Sequence, residues 1–268
     1  DVEIRYRSGE TVLKTPELGL DKTAMSLYFD STNLGQVTIS NPQAFVHFDQ
    51  DGSNIEEVLS AWLEGPSTLE APRLALDVRG GTVEIEDRHA NAKWQFHDVR
   101  VGMDLERNWS EPMKLRAVAK MPQPDGATDF DLQLTLDRRA GPNGSVRQEG
   151  DARIETVDFP LAAFQPVVRR ALPDSFLQGI ATMQTDFRWG NIETPGWNMS
   201  IDGLVDARDV RITSPELGGD EIYLRTLRLP INMAYVNDRL TIERLASISD
   251  VGRVDLTGKV VIDTQQGV

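Results

Sequence analysis

Apolar and polar residues alternate along almost the whole chain. In the segment Phe130–Asp137 every second residue is apolar, and this period of two predicts a β-strand with one buried and one solvated face. Alternation on one face only is typical of antiparallel sheets. The same pattern recurs in runs that include Met25/Leu27/Phe29, Val37/Ile39, Leu74/Leu76/Val78, Val83/Ile85, Met113/Leu115/Ala117, Trp197/Met199/Ile201, Leu229/Ile231/Met233 and Val254/Leu256. The sequence therefore predicts a mostly β fold.

Turn residues and phase changes divide these runs. The glycines of Arg79-Gly80-Gly81 predict a hairpin turn, because glycine adopts positive φ without steric cost. The alternation slips by one residue at His97-Asp98 and again at Arg225-Thr226. Because a slip of one residue moves the apolar set to the other face, each site predicts a turn or a β-bulge.

Two segments break the strand pattern and predict short helices. Ser53 followed by Glu56 forms a capping-box sequence, and the apolar spacing after it predicts a helix over residues 54–64. The second segment covers residues 160–172 and contains Pro166. A proline inside a helical pattern predicts a first turn, a kink and then the helix proper.

Together these elements predict a long antiparallel meander of about a dozen strands with two short helices. Two short helices cannot cover the apolar face of so many strands, so the sheet must fold into a sandwich, close as a barrel, or form a curved trough lined with apolar side chains. Glycines in 141–150 predict a boundary between a first β-rich segment, 1–140, with the helix at 54–64, and a second, 141–268, that opens with the helix at 160–172. One continuous sheet is the alternative.

Composition excludes several classes of function. The 268 residues include 28 basic and 42 acidic side chains, a net charge of −14, which argues against binding to nucleic acid or to an anionic membrane surface. The absence of cysteine excludes zinc ribbons, thiol catalysis and disulfides. No apolar run approaches the roughly 18 residues of a membrane-spanning helix. Because the chain begins at Asp1, we expect it to be part of a longer protein.

The candidate catalytic and metal-binding motifs are weak. The segment Asp49–Asn54 resembles a calcium loop, but His47 and Val58 occupy positions that need a carboxylate and a bidentate glutamate, so it predicts a turn and a helix cap. His47, His89 and His97 are expected on surface strands or turns. No nucleophile elbow, P-loop or dinucleotide motif is present. The sequence predicts no catalytic residue, no metal site and no cofactor.

Two stretches of the chain, Leu74–Asp87 followed by Trp94–Val101 and Val37–Pro42 followed by Phe48–Leu59, have a distinctive order of motifs. The first resembles the recurrent hairpin of the AsmA-like family, which is related to TamB and the bridge-like lipid transfer proteins, and the second resembles another segment of that family. The closing segment Val254–Val260 matches the same style. The individual motifs are degenerate, and the resemblance lies in their order between about Leu18 and Ile262.

The resemblance implies a non-enzymatic, periplasmic segment of a cell-envelope protein whose parent is anchored in the inner membrane outside this segment. Its implied role is an apolar β-groove that carries phospholipid or another acyl-chain ligand between membranes or serves outer-membrane biogenesis, together with envelope protein partners. The side chains predicted to line the groove are Val83, Ile85, Leu132, Leu134, Leu136, Leu229, Ile231 and Met233.

A different class of function remains open. The chain could be a carbohydrate- or protein-binding β-sandwich of an envelope protein, with its five tryptophans forming a stacking platform. The two hypotheses differ in the apolar stripe of the sheet. A lipid groove leaves that stripe exposed, whereas a sandwich buries it, and large exposed apolar stripes normally mark a binding surface.

Overall fold

The computed structural model divides the chain into two compact units, Asp1–Val146 and Arg147–Val268. Both consist mostly of antiparallel β-strands, and the described strands form an open sheet that does not close on itself, so the predicted mostly β meander is confirmed. The residues that the structure describes are 2–6, 9–49, 52–54, 56, 71–123, 126–141, 145–172, 174–191, 198–218 and 220–261.

The described residues of the first unit form nine strands, one short helix and one 3-10 turn. They are β1 (Val2–Arg5), β2 (Thr11–Thr15), β3 (Glu17–Leu20), α1 (Ala24–Phe29), β4 (Asn33–Ser40), β5 (Gln43–Phe48), β6 (Arg73–Asp87), β7 (Ala92–Leu105), η1 (Arg107–Trp109), β8 (Met113–Gln123) and β9 (Gly126–Ala140). From β6 to β9 the strands form an antiparallel meander.

The prediction of antiparallel pairing fails beside β6. Both β4 and β5 pair with β6 in parallel, β4 along its first half and β5 along its second. The strand conformation is interrupted between β4 and β5 at Asn41, which has a left-handed φ of 50°. Its backbone N–H donates to the carbonyl of Arg79 at 2.8 Å. The two strands therefore act as one interrupted neighbour of β6.

The predicted hairpin turn at Arg79-Gly80-Gly81 is wrong. Residues 73–87 form one strand of 15 residues that pairs with β7 on both sides of the glycines. Gly80 has a φ of 64° and the register shifts between Val78 and Gly81, so the glycines form a bulge inside a continuous strand. The predicted irregularity at His97-Asp98 is confirmed in the facing strand, where Asp98 has a φ of 51°.

The alternation of Met25, Leu27 and Phe29 does not form a strand, and this prediction is also wrong. These residues lie in α1, where the Thr23 hydroxyl caps the helix by accepting the Ser26 N–H at 3.2 Å. Met25 and Phe29 remain 66% and 79% exposed. The local cap favours the helix over the weak period-two signal.

The described residues of the second unit form six strands in sequence order. Its elements are β10 (Val146–Pro160), the 3-10 turn η2 (Leu161–Phe164), α2 (Gln165–Ala171), β11 (Phe176–Gly190), β12 (Asn198–Thr213), the 3-10 turn η3 (Pro215–Leu217), β13 (Glu221–Val236), β14 (Arg239–Ser249) and β15 (Arg253–Val261). Each strand pairs antiparallel with the next. The predicted turn and helix over 160–172 are confirmed by η2 and α2.

The predicted phase change at Arg225-Thr226 occurs without a turn. Strand β13 runs through it, and Leu224 and Leu227 are both buried although they are three residues apart. In the facing strand β12, Asp209 has a left-handed φ of 51°. The backbone N–H groups of Arg225 and Thr226 are bonded to the Asp250 carboxylate instead of to β14, so a side chain replaces the strand partner there.

The capping box before the other predicted helix is confirmed. The Ser53 hydroxyl accepts the Glu56 N–H at 3.2 Å, and the Glu56 carboxylate accepts the Ser53 N–H at 3.1 Å. Asn54 binds the carbonyl of Phe45 at 2.8 Å, which ties this cap to β5. Apart from residues 54 and 56, the helix predicted over 54–64 lies outside the described residues.

Candidate functional site

In the first unit, apolar side chains of four strands share one face of the sheet, which we call the first apolar face. Directly opposed residues of antiparallel strands point to the same face, so the register defines it as rows. One row is Val78, Val101, Ala117 and Leu132, and the next is Leu76, Met103, Leu115 and Leu134. Beyond the Gly80 bulge the face continues with Val83, Ile85, Trp94 and Phe96.

In the second unit a comparable surface, the second apolar face, runs across β11, β12 and β13. Its rows are Ala181/Ala207/Leu227, Met183/Val205/Leu229, Thr185/Gly203/Ile231 and Phe187/Ile201/Met233. Strands β14 and β15 extend it with Leu240, Ile242, Leu245, Val254, Leu256 and Val260. The six described strands of this unit belong to one sheet.

One end of the second apolar face is an ordinary hydrophobic core, which we call the closed end. It consists of Ala181, Ala207, Val210, Leu224 and Leu227, all at most 9% exposed. Leu161 of η2 packs against this cluster, and both η2 and α2 contact β11. The short helical segment therefore covers one end of the sheet and leaves the remainder without a cover among the described residues.

The remaining large apolar side chains of this face on β11, β12 and β13, which we call the open stretch, are partly exposed to solvent, whereas Thr185 between them is 3% exposed. Its members are Met183, Phe187, Ile201, Val205, Leu229, Ile231 and Met233. Leu229 lies two residues from buried Leu227 on the same strand and the same face, yet it is not fully buried. The open stretch therefore combines the side chains of a core with the exposure of a surface.

The predicted groove residues fall on these two faces. Val83, Ile85, Leu132 and Leu134 lie on the first apolar face and are partly exposed, as are Leu229, Ile231 and Met233 on the second. Leu136 differs, because it is only 4% exposed. The structure therefore groups five of the predicted residues in one unit and three in the other.

A buried tryptophan lies at the end of the first apolar face where Leu136 is buried. Trp109 of η1 is 7% exposed, and η1 packs against β6 and β9. The guanidinium of Arg138, two residues after Leu136 on the same face, lies 4.9 Å from the centre of the Trp109 ring. Burial lowers the pKa of Arg138 below its ordinary value. Trp109 therefore covers one end of the first apolar face, as η2 and α2 do in the second unit.

The alternation in the sequence did not identify the side chains that β11 contributes to the second apolar face. Met183 and Phe187 of β11 lie along one side of the open stretch, next to Val205 and Ile201 of β12, and their run was not among the predicted strands. Trp189 lies across Gly150 of the neighbouring strand, and its ring occupies the space that a side chain at position 150 would need. A glycine opposite an aromatic residue is a signal that could have indicated this contact.

The opposite side of each sheet carries the charges. Arg116 and Asp131 form a cross-strand ion pair at 2.6 Å in the first unit. On the same side, the hydrogen bond from Lys93 lowers the pKa of Glu86, whose carboxylate lies 2.8 Å from the ammonium. In the second unit the bonds from Arg253 lower the pKa of Asp255. Each sheet therefore has one hydrated face and one apolar face.

A shallow depression of about 580 Å³ lies on the charged side of the second unit. Its polar lining includes the amide of Asn232, which donates to the Asp202 carboxylate at 2.7 Å. Other polar side chains in the lining are Gln184, Asp186, Arg228 and Arg244. None of the described lining residues is aromatic, so the depression lacks the stacking surface that the tryptophan hypothesis requires.

The histidines do not assemble a metal site. His47 is less exposed than predicted, at 15%, and its Nε2 atom lies 3.2 Å from a Glu10 carboxylate oxygen. Arg88 bonds the same carboxylate at 2.9 Å, so the cluster is an ion-pair network between strands. Within the described residues, no group of three or more potential ligands could hold a metal ion.

No helix in the described residues is long and apolar enough to span a membrane. No family model matches the sequence, and no curated protein or solved structure is significantly similar to it.

Proposed function

We propose that the apolar faces of the two units bind the acyl chains of phospholipids, and that the chain is a non-enzymatic segment of an AsmA-like protein of the cell envelope. The observation that carries the proposal is the open stretch of the second apolar face. Its large apolar side chains lie in register across three strands and remain partly exposed. Natural proteins seldom leave a contiguous apolar surface uncovered unless something binds to it.

Acyl chains match this surface in size and chemistry. A strand of eight residues is about 27 Å long, comparable to a lipid tail. A tail gains about 0.8 kcal/mol for each CH₂ group that leaves water. An apolar sheet face and a bilayer offer similar environments to an acyl chain. The free energy of moving a lipid between them is therefore close to zero, so lipids can enter and leave without tight binding.

This role requires neither a bond-breaking group nor a cofactor. Transfer of a lipid changes its location and not its covalent structure, so the site needs only an apolar lining and a hydrated exterior. The resemblance of the sequence to AsmA-like proteins supports a place in the periplasm, with the parent protein anchored in the inner membrane and acting with other envelope proteins in outer-membrane biogenesis.

The competing hypothesis of a carbohydrate- or protein-binding sandwich has less support. A sandwich needs a second sheet against the apolar face, whereas the described strands of each unit belong to one sheet. The polar depression of the second unit offers hydrogen-bonding groups for a sugar but no aromatic platform among its described lining residues.

Native mass spectrometry after incubation with vesicles of phosphatidylethanolamine and phosphatidylglycerol tests the proposal. We expect bound phospholipid on the unmodified chain. Leu134→Glu and Leu229→Glu place a carboxylate on each apolar face and are expected to reduce lipid binding while the protein remains folded. The absence of bound lipid on the unmodified chain at any vesicle concentration would contradict the proposal.

Matched controls put the same carboxylate on the opposite face. Gln133→Glu changes the residue next to Leu134 and lies opposite Arg116, and Ser200→Glu lies opposite Arg188. Both substitutions create a favourable cross-strand charge pair, and both are expected to bind lipid like the unmodified chain. Equal loss of lipid in the controls and in the Leu variants would show that the apolar faces are not the binding surface.

A further inference from the structure

Strand β15 has one side without a partner among the described residues. It pairs with β14 along its inner side, and no described strand pairs with its outer side. All of its nine residues are exposed. An open edge presents a row of backbone N–H and C=O groups that readily pair with another strand. The strand contains no proline that would block such pairing.

The side chains of β15 separate by face. Val254, Leu256 and Val260 extend the second apolar face and are 68%, 49% and 51% exposed. Asp255 and Lys259 project from the opposite, charged side. Arg253 holds Asp255 with two hydrogen bonds of 2.6 and 2.8 Å, whereas no carboxylate in the described part of the chain forms an ion pair with Lys259.

We propose that two copies of this chain pair through β15, antiparallel and with the two-fold axis at Thr257. In this register residue 253 lies opposite residue 261 of the second copy. Asp255 of each copy is then opposite Lys259 of the other, and Val254 is opposite Val260. Opposite charges and apolar residues that face each other across two strands are the pairs that stabilise an antiparallel sheet.

Other registers that keep the apolar residues on one face are less favourable. A shift of the axis to Leu256 brings Arg253 opposite Lys259, which places like charges together. A shift to Gly258 brings Asp255 opposite Val261 and leaves Lys259 opposite Thr257, so neither charge has a partner. Of these three registers, only the one with its axis at Thr257 places each Asp255 directly opposite Lys259 of the other copy.

The second copy fits this edge because the strand is complementary to itself. Pairing in this register also joins the second apolar face of one copy to that of the other, since Val254, Leu256 and Val260 of both copies lie on the same side. This proposal goes beyond lipid binding and is independent of it, because it depends on β15 alone and is measured in the absence of lipid.

Complementary charge reversals test the pairing. Asp255→Lys and Lys259→Asp each place like charges opposite one another twice in a homodimer. The dimer of each variant is expected to be about tenfold weaker than that of the unmodified chain. A mixture of the two variants restores both opposite-charge pairs in a heterodimer, so its affinity is expected to recover. Light scattering coupled to size exclusion measures these states, and circular dichroism verifies that each variant is folded.

Single cysteines test the register. The chain has no cysteine of its own, so each crosslink reports one position. Thr257→Cys places both thiols at the axis, and we expect oxidation to link the two copies. Lys259→Cys is the control, because two residues 259 lie about 13 Å apart along the strands, beyond the reach of a disulfide. Asp255→Cys mixed with Lys259→Cys should link the two variants to each other.

Two outcomes would overturn the proposal. An unmodified chain that stays monomeric at concentrations of about 100 μM, or charge variants that dimerise as well as the unmodified chain, would exclude pairing through this strand. Dimers in which Lys259→Cys links as efficiently as Thr257→Cys would show that the copies associate through another surface or register.

Discussion

The closed end and the open stretch of the second apolar face use the same strands and the same kinds of residue, but they differ in burial. Leu227 is 9% exposed and belongs to the core cluster, whereas Leu229, the next residue on the same face of β13, is partly exposed. The difference arises from η2 and α2, which cover only one end of the sheet. A single alternating strand can therefore supply both a core and a binding surface.

The largest effect is expected for Leu227→Glu. A carboxylate at this position must lose water against the tightly packed neighbours Ala207 and Leu224, which costs about 3–5 kcal/mol. For a unit of this size that corresponds to a fall in melting temperature of about 10–20 °C. Thermal unfolding followed by circular dichroism measures it. A fall of only a few degrees would mean that this end of the sheet is as open as the rest.

A smaller effect is expected for Leu161→Ala, which removes part of the cover and leaves the sheet unchanged. Because Leu161 is itself partly exposed, we expect a loss of about 1–2 kcal/mol in the free energy of unfolding. The shortened side chain should also expose Val210 and Leu227. Binding of an acyl-chain fluorophore to the second unit should then increase. Reduced stability with unchanged fluorophore binding would show that η2 stabilises the fold but does not restrict access to the apolar face.

Leu229→Glu is the matched partner of Leu227→Glu and should cost much less. The new carboxylate can remain hydrated at a partly exposed position, so we expect a loss of about 1 kcal/mol or less. The same denaturation experiment on both variants measures the difference directly. Equal destabilisation of the two variants would show that Leu229 is buried against a second layer of protein in solution, which would favour a sandwich.

The smallest effect concerns the charged face. The hydrogen bond from Lys93 holds the pKa of Glu86 below its ordinary 4.5, so the folded state is stabilised above that pH and loses this contribution as the pH falls through the lowered pKa. Both side chains are largely solvated and the pair is screened. Glu86→Gln should therefore leave the melting temperature unchanged within a degree or two at pH 7 and reduce its dependence on pH below about 4.5.

The sequence predicted the fold class well because alternation is a local property of each strand. It predicted the irregularity at His97-Asp98 for the same reason, since a phase change is visible in the residues themselves. It failed at Gly80, where a glycine pair that is typical of a turn lies in a bulge, because β7 pairs with both halves of β6. That pairing is tertiary and leaves no local signal.

The candidate site was only partly predictable for a related reason. Every predicted groove residue lies on an apolar face, because a period of two determines which side chains share a side. Alternation does not indicate which part of a face is covered. Leu136 and Leu134 have the same pattern, yet Leu136 is buried and Leu134 is partly exposed. The 3-10 turn with Trp109, which is separate in the sequence, packs against β9 only in the folded chain.

Photocrosslinking to phospholipid tests most directly whether the open stretch binds acyl chains. A photoreactive phenylalanine analogue at position 229 or 201 would face the open stretch, and the same residue at 228 or 200 would face the charged side. After illumination with phosphatidylethanolamine vesicles, we expect lipid adducts at 229 and 201 and not at 228 and 200. Adducts at equal levels on both faces, or at none of the four positions in folded protein, would contradict lipid binding by this surface.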